Sequence, residues 1–351
     1  MRTDDLDYGL PSGRIALEPA EPRDQAKLLI DQGPGLPPRD GVVTDFGSLV
    51  RPGDVVVLND TRVLRARLPV RRASGGAGEV LFLSPAGVDH RGWWEALVRP
   101  ARKLHTGDVL AAAADPSVEV EVGDDLGEGR RLVRPPVEGD DLARLLDRVG
   151  EVPLPPYLAA ARLDDPERYQ TVYSRRPASA AAPTAGLHLT DALLDAVRAA
   201  GATVVRVELV VGLGTFRPIS TDRVEDHVMH EERYDIAPEV WEQVRAARRV
   251  VAVGTTSVRA LETAAATDVL SGESRLFIKR PYPWAVVDVL MTNFHQPRSS
   301  LLAMIDAFVG PRWRDLYAHA LAGEYRFLSF GDAMWLHRVG GSGGGDDSMR
   351  E

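Results

Sequence analysis

The segment 207–232, VELVVGLGTFRPISTDRVEDHVMHEE, constrains the fold more than any other part of this chain. Its apolar run from Val207 to Val211 is typical of a strand that is buried on both faces. Such strands lie inside parallel sheets, where ligands bind just beyond the carboxyl ends of the strands. The glycine turn 212–214 comes at such an end, and glycine lets a ligand approach bare backbone. The segment therefore predicts an α/β sheet with a binding site at this end, and a buried strand followed by a solvated loop is the alternative.

Three further strands are predicted to end in polar loops. The run 55–58 is followed by Asn-Asp-Thr-Arg, and the run 286–291 by Thr-Asn-Phe-His. The run 249–253 leads through a glycine into a helix that begins Thr-Thr-Ser, whose free N–H groups suit a carboxylate or a phosphate. A structural Asx-turn and simple helix capping are the competing interpretations of these loops. We expect the loops to converge on a single pocket at one edge of the sheet.

The composition and motifs exclude several kinds of site. The 351 residues include no cysteine, which excludes disulfides, thiolate zinc sites and cysteine nucleophiles. The order of residues in HVMHE, 227–231, matches neither H-E-x-x-H nor H-x-x-E-H, so we expect no metal. The glycine turn lacks the third glycine of a dinucleotide-binding loop, and neither a Walker A sequence nor a G-x-S-x-G elbow occurs.

The distribution of strand-like, helix-like and Gly-rich segments along the sequence predicts two domains and a tail. Short strand-like runs separated by Gly, Asp and Pro fill 66–152, which indicates a small inserted β-barrel. The flanking parts, 1–65 and 153–339, alternate helix and strand patterns and form a discontinuous α/β catalytic domain. They include a predicted helix near 24–30, a predicted helix 191–200 with Thr190 as its N-cap, and a predicted strand 275–279. The Gly-rich segment 340–351 is predicted to be a disordered tail. The predicted fold class is therefore mixed α/β with an inserted β-barrel.

The distribution of charge indicates where a polyanion would bind. The net charge of −9 argues against indiscriminate nucleic-acid binding, yet the segment 62–104 carries nine basic residues against three acidic ones. Its candidate RNA-binding residues are Arg71, Arg72, Arg102 and Lys103. An arginine-rich solvated surface is the alternative. Because the amino-terminal sequence lacks a signal-peptide layout and no apolar run approaches ~20 residues, we expect a soluble, cytoplasmic protein without membrane contact.

Ten segments, in order along nearly the whole chain, resemble the S-adenosylmethionine:tRNA ribosyltransferase-isomerases of queuosine biosynthesis. They are DYGLP (7–11), GD with LNDTRV (53–63), LPPY (154–157), RYQTVY (168–173), the segment 181–188, the segment 211–218, DHVMHE (226–231), the segment 253–262, TNFH (292–295) and the segment 325–334. Each is weak by itself, whereas ten at compatible spacing are specific for membership. The chain departs from the family pattern at Val210, Arg280, Pro281 and Gln296, and also at Ala160 and Ala178.

The resemblance implies a reaction and its partners. The ribosyl moiety of S-adenosylmethionine, the co-substrate, is transferred to 7-aminomethyl-7-deazaguanine in a tRNA anticodon and isomerised to give epoxyqueuosine, with release of adenine and methionine. No metal is implied, and we expect a monomer. Because Val210 replaces a histidine of the pattern, two alternatives stay open: a paralogue that uses S-adenosylmethionine with a different, small-molecule acceptor, and an inactive RNA-binding protein. Adenine release and its dependence on tRNA distinguish the three.

The implied chemistry needs a base, an acid for the departing adenine, and groups that hold the nucleoside. His230 and Glu231 are the first candidates for proton transfer, because an adjacent imidazole and carboxylate tune each other's pKa values. The other catalytic candidates are His188, His295 and Asp60. The candidate substrate-binding residues are Asn59, Arg62, Thr184, Gly186, Gly212, Gly214, Thr215, Phe216, His227, Thr255, Thr256, Arg259, Glu262, Asn293, Arg326 and Asp332.

Overall fold

The computed structural model describes residues 1–158, 165–212, 218–229 and 231–340. The chain forms two compact units. The first comprises the described parts of Met1–Thr61, Tyr157–Arg176 and Ala182–Glu351, and the second comprises Arg62–Pro156 and Pro177–Ala181. The segment 341–351 of the predicted tail lies outside the described residues.

The strands are numbered in chain order. They are β1 Lys27–Ile30, β2 Arg39–Val42, β3 Asp54–Asn59, β4 Arg62–Val63, β5 Arg67–Arg72, β6 Ala77–Pro85, β7 Trp94–Arg99, β8 Val109–Ala112, β9 Glu119–Gly127, β10 Arg130–Arg134, β11 Pro177–Ser179, β12 Thr203–Leu209, β13 Glu232–Asp235, β14 Arg249–Val253, β15 Ser271–Ser274, β16 Val289–Asn293 and β17 Ala333–His337. The α-helices are α1 Phe46–Leu49, α2 Gly139–Val149, α3 Asp191–Ala199, α4 Pro238–Ala246, α5 Thr255–Thr267, α6 Ser300–Val309 and α7 Trp313–Ala322.

One sheet organises the first unit. Within the described residues it has nine strands in the order β15-β13-β12-β3-β14-β16-β17-β1-β2. β12, β3, β14 and β16 run parallel, while β17 is antiparallel to β16. The carboxyl ends of the four parallel strands therefore share one edge with the beginning of β17. β12 and β14 flank β3 on opposite sides, so the chain turns in opposite directions there, which is where α/β sheets bind ligands.

The strands that are buried on both faces include β3 and β16, and not β12. All six residues of β3 and all five of β16 are buried, as expected inside a parallel sheet, and the sequence of β3, DVVVLN, is rich in β-branched side chains. β12 alternates between buried and more accessible positions. The prediction from Val207–Val211 was thus right about a parallel sheet and wrong about burial of this strand on both faces. The physical reason is its position, since β12 lies third from one end of the sheet, beside the short strands β13 and β15.

A single hydrophobic cluster packs one face of the sheet against α1 and α3. Side chains of the central strands, including Val56, Val251 and Trp335, meet Phe46 and Leu194 from these helices. The side chain of Thr190 accepts from the N–H of Leu193 and begins α3, as its sequence predicts. α6 begins in the same way, because Ser299 accepts from the N–H of Leu302.

Two sequence predictions of local structure were wrong. The segment 24–30, predicted to be helical, contains β1, whose Leu28–Ile30 pair in parallel with β17. The run 275–279, predicted to be a strand, follows β15, which ends at Ser274. In both cases the apolar run was too short for its period to identify its structure. Pairing with β17 and β2 made 27–30 a strand, whereas the described pairing of β15 with β13 ends at Ser274 and does not extend over 275–279.

The second unit is built around a barrel. Six of its described strands close in the order β10-β7-β6-β5-β8-β9, every neighbouring pair being antiparallel, while β4 and β11 form a separate pair. Apolar side chains such as Val70, Val80 and Val122 are buried, and α2 contributes Leu142 and Leu146. A mixed α/β fold that carries an inserted β-barrel is therefore confirmed.

No helix in the described ranges is long and apolar enough to cross a membrane.

Glu262 of α5 holds a loop of the first unit in place. Its side chain is buried, and its two carboxylate oxygens accept from the backbone N–H groups of Ala285, Val286 and Val287, each at 3.0 Å. The hydroxyl of Tyr282 donates to it at 3.3 Å. A buried carboxylate with this many donors is fully used by the fold, so the structure shows no capacity left for a substrate.

We expect Glu262→Ala to lower the free energy of unfolding by about 2 kcal/mol, because it leaves one buried and two partly buried N–H groups without an acceptor. Urea titration measures the change. Glu262→Gln keeps one acceptor oxygen and should cost less, and Glu242→Ala, on the exposed face of α4, is the control that should stay within about 0.5 kcal/mol of the parent. An Ala variant as stable as the control would contradict a structural role for Glu262.

Candidate active site

A cleft opens at the edge of the sheet where the parallel strands end. It encloses about 630 Å³, including the open space at its mouth. Its walls come from the residues that follow β14 and β16, from the 3₁₀ helix Thr184–His188, and from residues 328–329 before β17. The segments that form it are far apart in sequence, so the cleft exists only because the sheet aligns their ends.

The amino terminus of α5 forms one wall of the cleft. Gly254 precedes the helix with φ of 86°, a conformation that favours glycine, and no side chain caps the helix. Thr255 and Thr256 line the cleft beside these free N–H groups. The Thr256 hydroxyl is buried and has no hydrogen-bond partner within the described residues, whereas Ser257 donates to the carbonyl of Val253 at 2.8 Å. A buried hydroxyl without a partner is costly, which indicates that a ligand completes it.

Asn293, at the end of β16, forms the second wall together with Thr184. The Thr184 hydroxyl donates to Asn293 Oδ1 at 3.0 Å, and Asn293 Nδ2 lies 3.0 Å from His188 Nε2. Asn293 Nδ2 also donates to the carbonyl of Asp332 at 3.5 Å. Burial lowers the pKa of His188 to about 4, so the ring is neutral at pH 7. Every polar atom of the Asn293 side chain is therefore engaged.

His295 lies deeper in the same wall. Its Nε2 is 3.0 Å from the Thr292 hydroxyl, its backbone N–H donates to Tyr317, and Tyr8 donates to its carbonyl. Burial lowers the pKa of His295 to about 3. The imidazole is therefore neutral at pH 7 and is a weak base in the unliganded cleft, although it is positioned to exchange hydrogen bonds with a ligand.

Comparison with known proteins identifies the family. Residues 3–336 match the family model described as Queuosine biosynthesis protein. The chain belongs to this family. It is 49% identical over 337 residues to a protein of Rubrobacter xylanophilus named S-adenosylmethionine:tRNA ribosyltransferase-isomerase, with 96% of this chain and 98% of that one aligned. A protein of the same name from Synechococcus sp. strain WH7803 is 48% identical, with 94% of each chain aligned.

The fold agrees with that of a solved member of the family. The crystal structure of an S-adenosylmethionine tRNA ribosyltransferase from Thermotoga maritima is 31% identical and has a TM-score of 0.53. The alignment covers 94% of this chain and 99% of that one. The likeness therefore extends over both compact units and not only over the sheet.

The structure divides the candidate residues of this queuosine biosynthesis protein into several groups. Four of them lie outside the described residues: Gly214, Thr215, Phe216 and His230. The candidates that line the cleft are Thr184, Thr255, Thr256, Asn293 and His295. His188 lies directly behind Asn293.

Other candidates are engaged in holding the strands together. Asn59 exchanges hydrogen bonds with the backbone of Leu209, at 2.9 and 3.0 Å, and so joins β3 to β12. Arg259 forms a buried ion pair with Glu232, which also accepts from the N–H of Gly212 at 3.0 Å. These side chains stabilise the sheet edge from which the cleft is built, and the carboxylate of Glu232 balances the charge of Arg259.

Asp332 and Gly186 have equally clear structural tasks. Asp332 accepts from the N–H groups of Lys27 and Arg326, at 2.9 and 2.7 Å, and burial raises its pKa. Arg326 donates to the carbonyl of Glu18 at 3.2 Å. Gly186 is needed for packing, since a Cβ there would lie 2.0 Å from the hydroxyl oxygen of Tyr173.

The remaining candidates lie away from the cleft lining. Asp60 is buried, and its carboxylate oxygen Oδ2 lies 3.7 Å from Nη1 of Arg175. Burial raises the pKa of Asp60, whereas the positive charge of Arg175 lowers it. Glu231 forms an ion pair with the exposed Arg275. The ring of His227 packs edge-on against Phe277. Arg62 belongs to β4 of the second unit.

Several cleft residues were not among the predicted ones. Tyr157 and Ser329 face the cleft, and their hydroxyls are 2.6 Å apart. Leu328 has φ of 70°, which is rare for a bulky residue and typical of strained backbone at functional sites. Both regions lie in segments that resemble the family, so the sequence signal was present, but nothing in it showed that these side chains reach the cleft. Gln296, where the chain departs from the family pattern, also lines the cleft.

Among the described residues, no group of three or more His, Asp and Glu side chains is arranged to hold a metal ion.

Because the pKa of His295 is lowered in the folded protein, stability should fall as the pH decreases. An unfolded histidine has a pKa near 6.5, so between about pH 6.5 and 4 the unfolded chain binds a proton that the folded chain excludes. We expect His295→Gln to reduce the loss of unfolding free energy over this window by about 1 kcal/mol per pH unit. Urea titrations at several pH values test this. The control is His105→Gln, at an exposed site, and parallel curves for parent and His295→Gln would contradict the prediction.

Proposed function

We propose that this protein is an S-adenosylmethionine-dependent tRNA ribosyltransferase-isomerase. It transfers the ribosyl moiety of S-adenosylmethionine to 7-aminomethyl-7-deazaguanine in a tRNA anticodon, isomerises it to give epoxyqueuosine, and releases adenine and methionine. The family membership and the names of relatives that are aligned over nearly their whole length support the reaction. The observation within the molecule that supports it most strongly is the cleft at the switch point of the sheet, where the buried Thr256 hydroxyl has no hydrogen-bond partner among the residues that the structure describes.

The wall formed by α5 suits the methionine carboxylate of the co-substrate. Free N–H groups and the positive end of the helix dipole favour an anion at this end. Thr255 and Thr256 add two hydroxyls beside those N–H groups. Arg259, proposed from the sequence as a third carboxylate ligand, is neutralised by Glu232, so its role in our proposal is to hold the start of β13 beneath the site.

The polar wall opposite suits the nucleoside. Thr184 and Asn293 present oriented hydrogen-bonding groups, and Leu301, Phe294 and Leu328 add apolar surface. His295 is neutral, so in our proposal it assists adenine departure by hydrogen bonding and does not act as a strong base. His230 remains our candidate for removing the proton next to the sulfonium. Glu231 pairs with Arg275 away from the cleft lining, so in our proposal it acts only on the neighbouring imidazole, whose basicity a carboxylate raises.

Adenine release from S-adenosylmethionine, with and without tRNA that carries 7-aminomethyl-7-deazaguanine, tests this function. We expect release only with the modified tRNA, together with epoxyqueuosine among the anticodon nucleosides detected by mass spectrometry. Adenine release that does not depend on the tRNA, or that yields no modified nucleoside, would contradict the proposed acceptor. The absence of any adenine release under both conditions would contradict the enzymatic function.

Within that assay, Thr256→Val should raise the KM for S-adenosylmethionine about threefold to tenfold, because it deletes one ligand hydrogen bond with little change in shape. Thr256→Ser keeps the hydroxyl and should stay close to the parent. The unliganded Val variant should melt no lower than the parent, since the hydroxyl that it lacks has no partner there. An unchanged KM would show that the hydroxyl does not contact the co-substrate.

The basic segment of the second unit is our candidate tRNA contact. Arg71 lies near the end of β5, while Arg102 and Lys103 lie in the 3₁₀ helix Ala101–Lys103, and all three are exposed. Arg72 is half-buried at the end of β5. Arginine and lysine side chains that reach solvent can displace the counterions of a phosphate backbone.

We expect charge reversal of Arg71, Arg72, Arg102 and Lys103 to Glu to weaken tRNA binding and to reduce its dependence on salt. Each phosphate contact that is lost should lower the slope of log K against log salt by about 0.7–0.9. Filter binding at several salt concentrations measures this, and affinity for S-adenosylmethionine should not change. Arg144→Glu with Arg148→Glu, on the exposed face of α2 in the same unit, is the control, and the two sets are compared per reversed charge. If both sets weakened tRNA binding equally per reversed charge, the basic segment would contribute only general surface charge and no specific contact.

A further inference from the structure

A backbone carbonyl determines the direction of a hydrogen-bond chain that ends in the cleft. The neutral ring of His188 has one nitrogen that donates and one that only accepts. Asn293 Nδ2 donates to the accepting nitrogen, Nε2, at 3.0 Å.

The carbonyl of Asp332 determines the orientation of the Asn293 amide. It lies 3.5 Å from Asn293 Nδ2 and, being a carbonyl, needs a donor. The amide nitrogen thus faces two acceptors, and turning the amide over would place its oxygen against both of them. Asn293 Oδ1 is therefore directed at Thr184, whose hydroxyl proton it accepts at 3.0 Å.

The consequence concerns the hydroxyl oxygen of Thr184, which lines the cleft. Its one proton is committed to Asn293, so towards the cleft it has lone pairs and no proton to donate. We infer that Thr184 is a specificity-determining residue that accepts a hydrogen bond from an N–H or O–H group of the ligand, and that His188 and Asn293 act as positioning residues which keep it an acceptor. This inference rests on the proposed function for the identity of the ligand.

A buried polar network of this kind stabilises the fold and also fixes which group donates and which group accepts each hydrogen bond. A site that offers only a hydrogen-bond acceptor rejects a ligand that presents another acceptor at that position. The lone pairs of the two acceptors repel each other, and both groups lose a hydrogen bond. S-adenosylmethionine offers three kinds of donor: the exocyclic amine of adenine, the ribose hydroxyls and the ammonium of the methionine part. All share the chemistry that Thr184 requires, and binding experiments can separate them.

The probe is S-adenosylhomocysteine, the unreactive thioether, with three analogues that each lack one kind of donor. S-inosylhomocysteine carries oxygen in place of the adenine amine, the 2′,3′-dideoxy compound lacks both ribose hydroxyls, and 5′-methylthioadenosine lacks the amino acid. We expect Thr184→Val to weaken the binding of S-adenosylhomocysteine about tenfold, as measured by calorimetry, and to leave the affinity for one analogue unchanged. That analogue identifies the donor. Thr184→Ser, which keeps the hydroxyl, should bind all four as the parent does.

Variants at His188 separate a directional role from a merely structural one. His188→Leu removes the acceptor that orients the Asn293 amide, so the ratio of affinities for S-adenosylhomocysteine and the identified analogue should fall towards one. His188→Gln restores an acceptor oxygen and should restore the ratio. A structural role alone would weaken the binding of every probe by the same factor and leave the ratio unchanged.

The outcomes distinguish this inference from the function on which it rests. If the parent protein does not bind S-adenosylhomocysteine, the proposed function and the inference both fail. If the parent binds it but Thr184→Val weakens all four probes equally, or none of them, the inference alone is overturned. If His188→Leu lowers affinity without changing the ratio, His188 is not a positioning residue.

Discussion

The alignment of four parallel strands is the constraint on which the rest of this structure depends. The carboxyl ends of these strands lie at one edge of the sheet, and the strands are β12, β3, β14 and β16. β17 begins at the same edge because it runs antiparallel to β16. Hydrophobic burial of β3 on both faces keeps the strands in place. Loops that are more than 100 residues apart in sequence, such as those of Thr184 and Asn293, are brought into hydrogen-bond contact as a result.

Buried polar groups around this edge divide into those that the fold uses and those that it leaves for a ligand. Glu262, Glu232 and Asn59 are occupied by backbone N–H groups or by a cation, and they make the edge rigid. The Thr256 hydroxyl has no partner within the described residues, and Thr184 keeps lone pairs towards the cleft. Since burial of a polar group is favourable only when it is paired, this difference separates supporting residues from contacting ones. Sequence alone gives both kinds of residue the same weight.

Much of the fold was predictable, and less of the site. Local sequence patterns predicted the mixed α/β class, the inserted barrel, and α3 with its Thr190 cap. Such patterns are reliable when a segment is long or when turn and capping residues mark its ends. β1 was predicted as a helix because four apolar residues do not show a period, and its partner β17 lies some 300 residues away. Of the site, the loops that follow β14 and β16 were predicted together, whereas the loop that follows β3, predicted to join them, is not part of the described cleft lining. The contributions of Tyr157, Leu328 and Ser329 were not predicted, because side-chain direction in an irregular loop depends on distant contacts.

The sequence by itself determined the family, the class of fold, the absence of thiol chemistry, and which loops carry the polar residues. These depend on residue types and on their local order. Only the tertiary structure decided which of those residues are free to meet a ligand, and in which direction their hydrogen bonds point. The physical reason is that hydrogen-bond direction at Thr184 is set through Asn293 by the carbonyl of Asp332, which is more than 100 residues away from Thr184 along the chain. Such a dependence exists only once the sheet has brought these groups together.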